Sequence, residues 1–361
     1  MALSLKTERF KVDVPSHEIK RLKEKVRNTR LPSNPIVPEA GEDYGPPIEW
    51  FQRLHQTWTV DFDWESVQQH LNRHEHFLGN IKDEEHNLKL HFVHVRSSRP
   101  NAIPLLLVHG WPGSFYEFDR VIDLLSEPKD ANVQAFHVVV PSLPGFCWSS
   151  APPRRGWTLK DNARVFNNLM LGLGYLSYGV QAGDWGSFVA RELGAQYPAC
   201  KAVHLNFCPV PLHTPDNELS PREKLVKKRY DDWLDDHLGY AVCMRTRPHT
   251  IGVALIDNPV GIMSWVGEKY YEAAAPQKAT DPEWDQAILI QSSLYYFTDC
   301  IMTSMLPYYE NVKHAEFGSY FTRPENRIDV PFAYSSFLYD TRPGTERTVK
   351  ETGNMVQYRG T

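Results

Sequence analysis

No Cys-x-x-Cys pair occurs in this chain, and its five cysteines (Cys147, Cys200, Cys208, Cys243, Cys300) are odd in number and far apart. That pattern argues against a disulfide-stapled scaffold or a thiolate metal site and reads as free thiols in a reducing compartment. Long hydrophobic runs are missing too. No apolar stretch approaches the ~20 residues that cross a bilayer. The opening MALSLKTERFKVDV turns polar early and has no apolar leader core, so a cytoplasmic protein with no stable membrane anchor is expected. Charge of one sign is not in excess: 39 Lys plus Arg against 44 Asp plus Glu leave a net −5, which removes any general attraction to nucleic acid or anionic lipid. Internal repeats and low-complexity tracts are absent. Aromatic residues are abundant, at 17 Tyr, 17 Phe and 10 Trp, more than core volume requires, and they predict an aromatic-lined pocket.

The chain's 361 residues allow one large domain or two smaller ones. From Pro15 to about Asn80 the pattern is helical and loop-rich. Ser16 is placed to cap a helix carrying Ile19, Leu22 and Val26; Ile48, Trp50, Phe51, Leu54 and Trp58 form a second apolar stripe; Trp64, Val67 and Leu71 form a third. These Trp residues read as packing. The Pro/Gly-rich LPSNPIVPEAGEDYGPP between the first two helices is an extended loop. Near residue 86 the texture changes. Leu88 to Val93 alternates like a half-buried strand, whereas Ile103 to Val108, Phe136 to Val140, Tyr178 to Gln181 and Ala202 to Phe207 are buried strand-like runs separated by helical patterns. Strands alternating with helices predict a mostly parallel α/β sheet. Thr158 and Asp161 form a capping box, as do Ser220 and Glu223 with Pro221 at the first helical position. After Phe207 the chain is mostly helical to about Phe321, and strand patterns return at Ile328 to Tyr334 and Asn354 to Tyr358. The expected division is an N-terminal helical wrapping region (1–85), a first core part (86–208), a helical lid (209–325) and a return to the core (326–361).

The sharpest local signal is Gln181-Ala182-Gly183-Asp184-Trp185-Gly186-Ser187, directly after a buried strand and before the helical run from Phe188 to Leu193. Small residues around one functional side chain suit a nucleophile elbow, a strained strand-to-helix turn with no room for neighbouring Cβ atoms. Where the usual elbow carries Ser, this one carries Asp184. A carboxylate there can attack an sp3 carbon and form an ester, which suits ring opening or halide displacement better than amide hydrolysis. The competing reading is an Asp that only caps the following helix. A second signal is His109-Gly110-Trp111-Pro112-Gly113-Ser114, at the end of a buried strand. Its Trp111 amide, with that of Trp185, is placed to form an oxyanion hole, since Pro112 has no N–H to donate. His109 itself reads as structural.

At these residues the chain resembles the epoxide hydrolases of the α/β-hydrolase superfamily, specifically the microsomal-type branch with an N-terminal wrapping region. The resemblance runs along nearly the whole chain, through HGWPGSFYEF (109–118), VVVPSLPGF (138–146), DNARVFNNLM (161–170), GDWGSF (183–188), KAVHLNFC (201–208), TRPHTIG (246–252), WVGEKY (265–270) and SLYYFTD (293–299). It implies that Asp184 is the nucleophile, that the lid tyrosines Tyr240 and Tyr308 donate protons to the epoxide oxygen, with Tyr309 a register alternative, and that Asp340 is the charge-relay acid. No cofactor or metal is implied. The family often has Gln where this chain has Met244. The family's base is a His in a Gly-rich loop after the final strand; the last histidine here is His314, in the wrong region, so the base is unassigned and turnover is in question. The resemblance also leads one to expect a further helix over the last strand.

The leading expectation is conversion of an apolar epoxide to a vicinal diol through an Asp184 ester, in detoxification or in secondary metabolism, with a homodimer through the lid. Haloalkane dehalogenation, which also uses an elbow Asp, is kept open by Trp185 as a halide donor. A non-hydrolytic reading, an inactive binding protein or an epoxide-opening cyclase with a substrate hydroxyl as attacker, is kept open by the unassigned base.

Overall fold

Hydrophobic periodicity sorts the chain into one sheet and the helices that cover it. The computed structural model describes residues 5–83, 86–312 and 317–361, and His314 lies outside them. Among the described residues, nine strands form a single sheet: β1 Thr7–Phe10, β2 His76–Asp83, β3 His86–Val95, β4 Ile103–Val108, β5 Phe136–Pro141, β6 Tyr178–Ala182, β7 Cys200–Leu205, β8 Ile328–Ser336 and β9 Gly353–Gly360. Their order is β1-β2-β3-β5-β4-β6-β7-β8-β9. The pairs from β5 through β4, β6, β7 and β8 to β9 are parallel, while β1, β2, β3 and β5 pair antiparallel. The inner strands are apolar where they are buried: Leu106, Leu107 and Val108 of β4, Val138 to Val140 of β5 and Leu205 of β7 are fully buried.

The strand-to-helix crossovers use α4 Asp119–Ser126, α5 Leu159–Gly172 and α6 Asp184–Gln196, with α5 opened by the Thr158/Asp161 capping box expected from its sequence. Between β7 and β8 the chain leaves the sheet and forms helices at Pro221–Asp236, Gly239–Thr246, Pro248–Leu255, Pro259–Glu272 and Pro282–Phe297, here α7 to α11. The first of these carries the Ser220/Glu223 box with Pro221 at its start.

The N-terminal stripes are helices at Ser16–Asn28, Ile48–Val60 and Trp64–Leu71, designated α1 to α3 although they precede α4 in the chain. They brace the helical insertion: Trp64 packs on Phe297 with ring centroids 4.7 Å apart, and Trp50 on Tyr271 at 5.2 Å. Two details differ from the sequence reading. Ser16 is the first residue of its helix rather than the cap; Pro15 holds that position, its carbonyl accepting from the amides of Glu18 and Ile19. The helical reading of residues 15–80 also missed β2, and β1 before it. Gly79 and Asn80 interrupt any local strand signal in β2, which is specified by non-local pairing along β3, from His76 opposite Val93 to Asp83 opposite His86.

Candidate active site

Asp184 stands where β6 ends and α6 begins, with φ at +46°. An L-residue adopts that left-handed conformation only when its surroundings impose it. Here the turn is closed by glycine: a Cβ on Gly186 would meet the carbonyl oxygens of Val108 and His109, and one on Gly110 would run into the Asp184 carboxyl itself. The turn therefore lifts the Asp184 side chain clear of the sheet's carboxyl edge instead of leaving it folded over the helix as a cap.

The facing loop is held from several sides. The Leu143 amide donates to Nε2 of His109 at 3.1 Å, which makes His109 the structural residue expected from the sequence. The hydroxyl of Tyr295 on α11 donates to the Gly113 carbonyl at 2.9 Å, and the Ser114 hydroxyl to Gln291 on the same helix at 2.8 Å. So fixed, the loop aims the Trp111 amide at Asp184 Oδ1, 2.7 Å away. The Trp185 amide also hydrogen-bonds the carboxylate. Burial outweighs both bonds and the nearby Arg342 charge, pushing the Asp184 carboxyl up to about 6.

Two phenols come down from the helical insertion. Tyr240 lies in the first turn of α8, and Tyr308 in the π-helical turn Pro307–Asn311. Their rings meet edge to face at 5.7 Å and their side chains share a hydrogen bond. The Trp111 indole stacks on Tyr240 at 5.3 Å and meets Tyr308 edge-on at 5.6 Å, and Trp185 meets Tyr308 edge-on at 4.8 Å. Indoles attached to the two amide donors thus position the two phenols. Burial pushes the Tyr240 hydroxyl up to about 12, and that of Tyr308 well above its ordinary value, so both keep their protons at neutral pH. Tyr308 is the buried member of its pair, whereas Tyr309 is half-buried; Met244 is fully buried.

Asp340 follows β8 and shares with Asp184 a cavity of ≈ 700 Å³. Its Oδ1 accepts from the Thr341 amide at 2.6 Å, yet burial, and secondarily the Asp184 charge, push it up to about 7. Of the six residues expected from the sequence, Trp111, Asp184, Tyr240 and Asp340 line the cavity, Tyr308 packs on Trp111 and Tyr240, and Trp185 packs on Tyr308. No histidine lines it among the described residues.

Two further cavity residues escaped the sequence reading. Glu117, surrounded by protein but open to the cavity, is pushed up to about 8 by burial and by the charge of Asp184. Its Ser-x-x-Glu spacing from Ser114 imitates a helix-start signal. Lys269, 5% exposed, sits in a Glu-Lys-x-x-Glu run that imitates a solvated helix face. An elbow carboxylate with two amide donors and two protonated phenols nearby is equipped to form an ester on an sp3 carbon. Among the described residues no cluster of metal ligands occurs, and no helix is long and apolar enough to cross a membrane.

Comparison with known proteins agrees with this chemistry. Residues 7–118 match the family model described as epoxide hydrolase N terminus, and residues 103–240 match that of the alpha/beta hydrolase fold. A putative epoxide hydrolase from Stigmatella aurantiaca (strain DW4/3-1) is 34% identical, covering 97% of this chain and 78% of that protein. Epoxide hydrolase 1 of Sus scrofa is 29% identical, covering 94% of this chain and 80% of its own. The solved structure of Aspergillus niger epoxide hydrolase is similar with a TM-score of 0.87 at 35% identity, covering 100% of this chain and 91% of that one. The chain therefore belongs to the microsomal-type epoxide hydrolases of the α/β-hydrolase superfamily.

Proposed function

We propose that this chain opens an apolar epoxide through a covalent ester on Asp184. The observation that carries the reading is the arrangement of a buried carboxylate at a strained elbow, bonded by the Trp111 amide at 2.7 Å, beneath two protonated phenols. An Asp184 oxygen attacks one ring carbon as that carbon's bond to the ring oxygen breaks, and the oxygen takes a proton from Tyr240 or Tyr308. The product is a hydroxyalkyl ester, and the phenol regains its proton from water. Proton donation is needed because an alkoxide is a poor leaving group near neutrality. Water added at the ester carbonyl would place negative charge on the oxygen facing the Trp111 and Trp185 amides, and collapse of that adduct would release a vicinal diol. Asp340 is the proposed orienting acid for the base that activates this water; no cavity residue of this chain is assigned as that base.

The aromatic and aliphatic wall supports an apolar substrate, with Trp111, Tyr270, Trp284 and Phe337 among its residues. Five free thiols support a reducing, cytoplasmic setting. Exposed Leu225, Val242 and Val253 on the helical insertion support self-association through that surface. The relatives reported above are epoxide hydrolases, which favours this reading over halide displacement, cyclisation or simple binding. The test is a panel of aryl and alkyl epoxides assayed for diol and for covalent adduct. Diol or an adduct of one epoxide mass supports the reading; neither, with any epoxide, overturns it.

A further inference from the structure

Lys269 brings into the cavity wall a charge that the reaction above leaves unused. It lies on α10, buried, with Nζ 2.5 Å from Glu272 and 2.6 Å from Glu268. Glu272 in turn bonds His237 at 2.9 Å. A buried ammonium is costly to desolvate, and the same helix could carry these pairs in water at little cost. Its burial instead places Nζ 4.3 Å from the centroid of the Tyr240 ring and 5.2 Å from that of Trp233. The Trp111 indole lies parallel to Tyr240, at 5.3 Å and 13°, so the phenol ring is held between contacts with an indole and with the ammonium. The Trp233 and Tyr308 side chains hydrogen-bond the Tyr240 hydroxyl.

We propose that Lys269 is a positioning residue for epoxide opening, clamping Tyr240 against Trp111 and stabilising the charge that spreads over the phenol ring as its proton moves to the epoxide oxygen. A cation over a ring face is attracted to the ring's electron density, and more strongly as that density grows. The interaction is thus stronger in the transition state than in the ground state, which is the condition for accelerating the step. Glu268 and Glu272 on α10 offset the ammonium's charge, and His237 just past α7 bonds Glu272, while Nζ stays 4.3 Å from the Tyr240 ring; Asp184 and Arg342 bear on the phenol as further charges. The inference rests on the epoxide-opening reading for its consequence, though not for the contact itself.

The test compares Lys269→Met with Lys269→Arg, which keeps the charge, in otherwise unchanged protein. With styrene oxide, Lys269→Met should slow the saturating rate of Asp184 alkylation about tenfold and leave the half-saturating concentration roughly unchanged, and Lys269→Arg should recover most of the loss. In a Tyr240→Phe background, Lys269→Met should change the rate little. A second readout needs no epoxide: in fluorotyrosine-labelled protein, with the Tyr240 signal assigned by its loss in Tyr240→Phe, fluorine NMR titration should show ionisation at higher pH in Lys269→Met. Lys269→Gln replaces the Met variant if that one does not fold. An unshifted Tyr240 titration, or an equal rate loss with and without Tyr240, would overturn the role of Lys269. If wild-type protein forms neither adduct nor diol, the epoxide-opening reading fails, and the titration still decides whether Lys269 acts on Tyr240.

Discussion

Replacing Asp184 by Asn should make the protein more stable, and by an amount that depends on pH. The carboxyl, ordinarily near 3.8, is raised to about 6 by burial, even with the amide bonds from Trp111 and Trp185 and the Arg342 charge opposing that rise. For an acid raised in the folded state, the favourable contribution is complete below its ordinary value and is lost as pH rises through about 6. The penalty on the folded state amounts to about 3 kcal/mol at pH 8 and about 1.6 kcal/mol at pH 5. Asn is nearly isosteric and its amide oxygen can still accept from Trp111, but it loses charge-assisted bonding, so a gain of roughly 1 to 3 kcal/mol at pH 8 is expected. Removing the charge also relieves Asp340 and Glu117, both displaced upward in part by Asp184. For a chain of this length, about 3 kcal/mol corresponds to about 4 °C in melting temperature. Thermal and urea unfolding of both proteins at pH 5 and pH 8 would measure the difference. A variant that is less stable at pH 8, or a gain that does not grow between the two pH values, would refute the idea that the elbow holds a penalised carboxylate.

Other consequences are equally checkable. Only ionised Asp184 attacks, so the alkylation rate should rise with pH through about 6 and then level off, as rapid-quench mass measurements on a neutral epoxide would show. Tyr240→Phe and Tyr308→Phe should each slow alkylation roughly 10- to 100-fold, with the double variant slower than either, because each phenol partly covers for the other; rates equal to that of the unchanged protein in all three variants would remove the tyrosines from the chemistry. Gly186→Ala places a methyl against the carbonyls of Val108 and His109 and should yield little folded protein on expression, whereas Gly174→Ala, with nothing near its Cβ but φ at +91°, should cost only about 1 kcal/mol.

Much of the site was legible because its residues are tied to local backbone needs. Gly183, Gly186 and the strand before them announce a tight turn whatever the tertiary context, and Asp184 follows as the residue that turn presents. Trp111 followed from the inability of Pro112 to donate an amide hydrogen. Tyr240 and Tyr308 were different: in an insertion full of aromatics no local rule separates a phenol packed on the Trp111 indole from one in the core, and only the family resemblance picked them out. Glu117 and Lys269 stayed hidden because Ser-x-x-Glu and Glu-Lys-x-x-Glu spacings read as helix capping and surface charge, and their exposure is decided by elements far away in sequence. The strand β2 was lost for a related reason, since its pairing with β3 supplies order that the Gly79-Asn80 interruption hides.

The central claim is that Asp184 itself becomes alkylated, and peptide mapping tests it directly. Protein of residues 1–361 is incubated with styrene oxide, quenched in acid and digested, and the adduct is located by tandem mass spectrometry beside an Asp184→Asn control. The account predicts one epoxide mass on the Asp184 side chain, absent from the control. An adduct on any other residue, or equal labelling in Asp184→Asn, would contradict it.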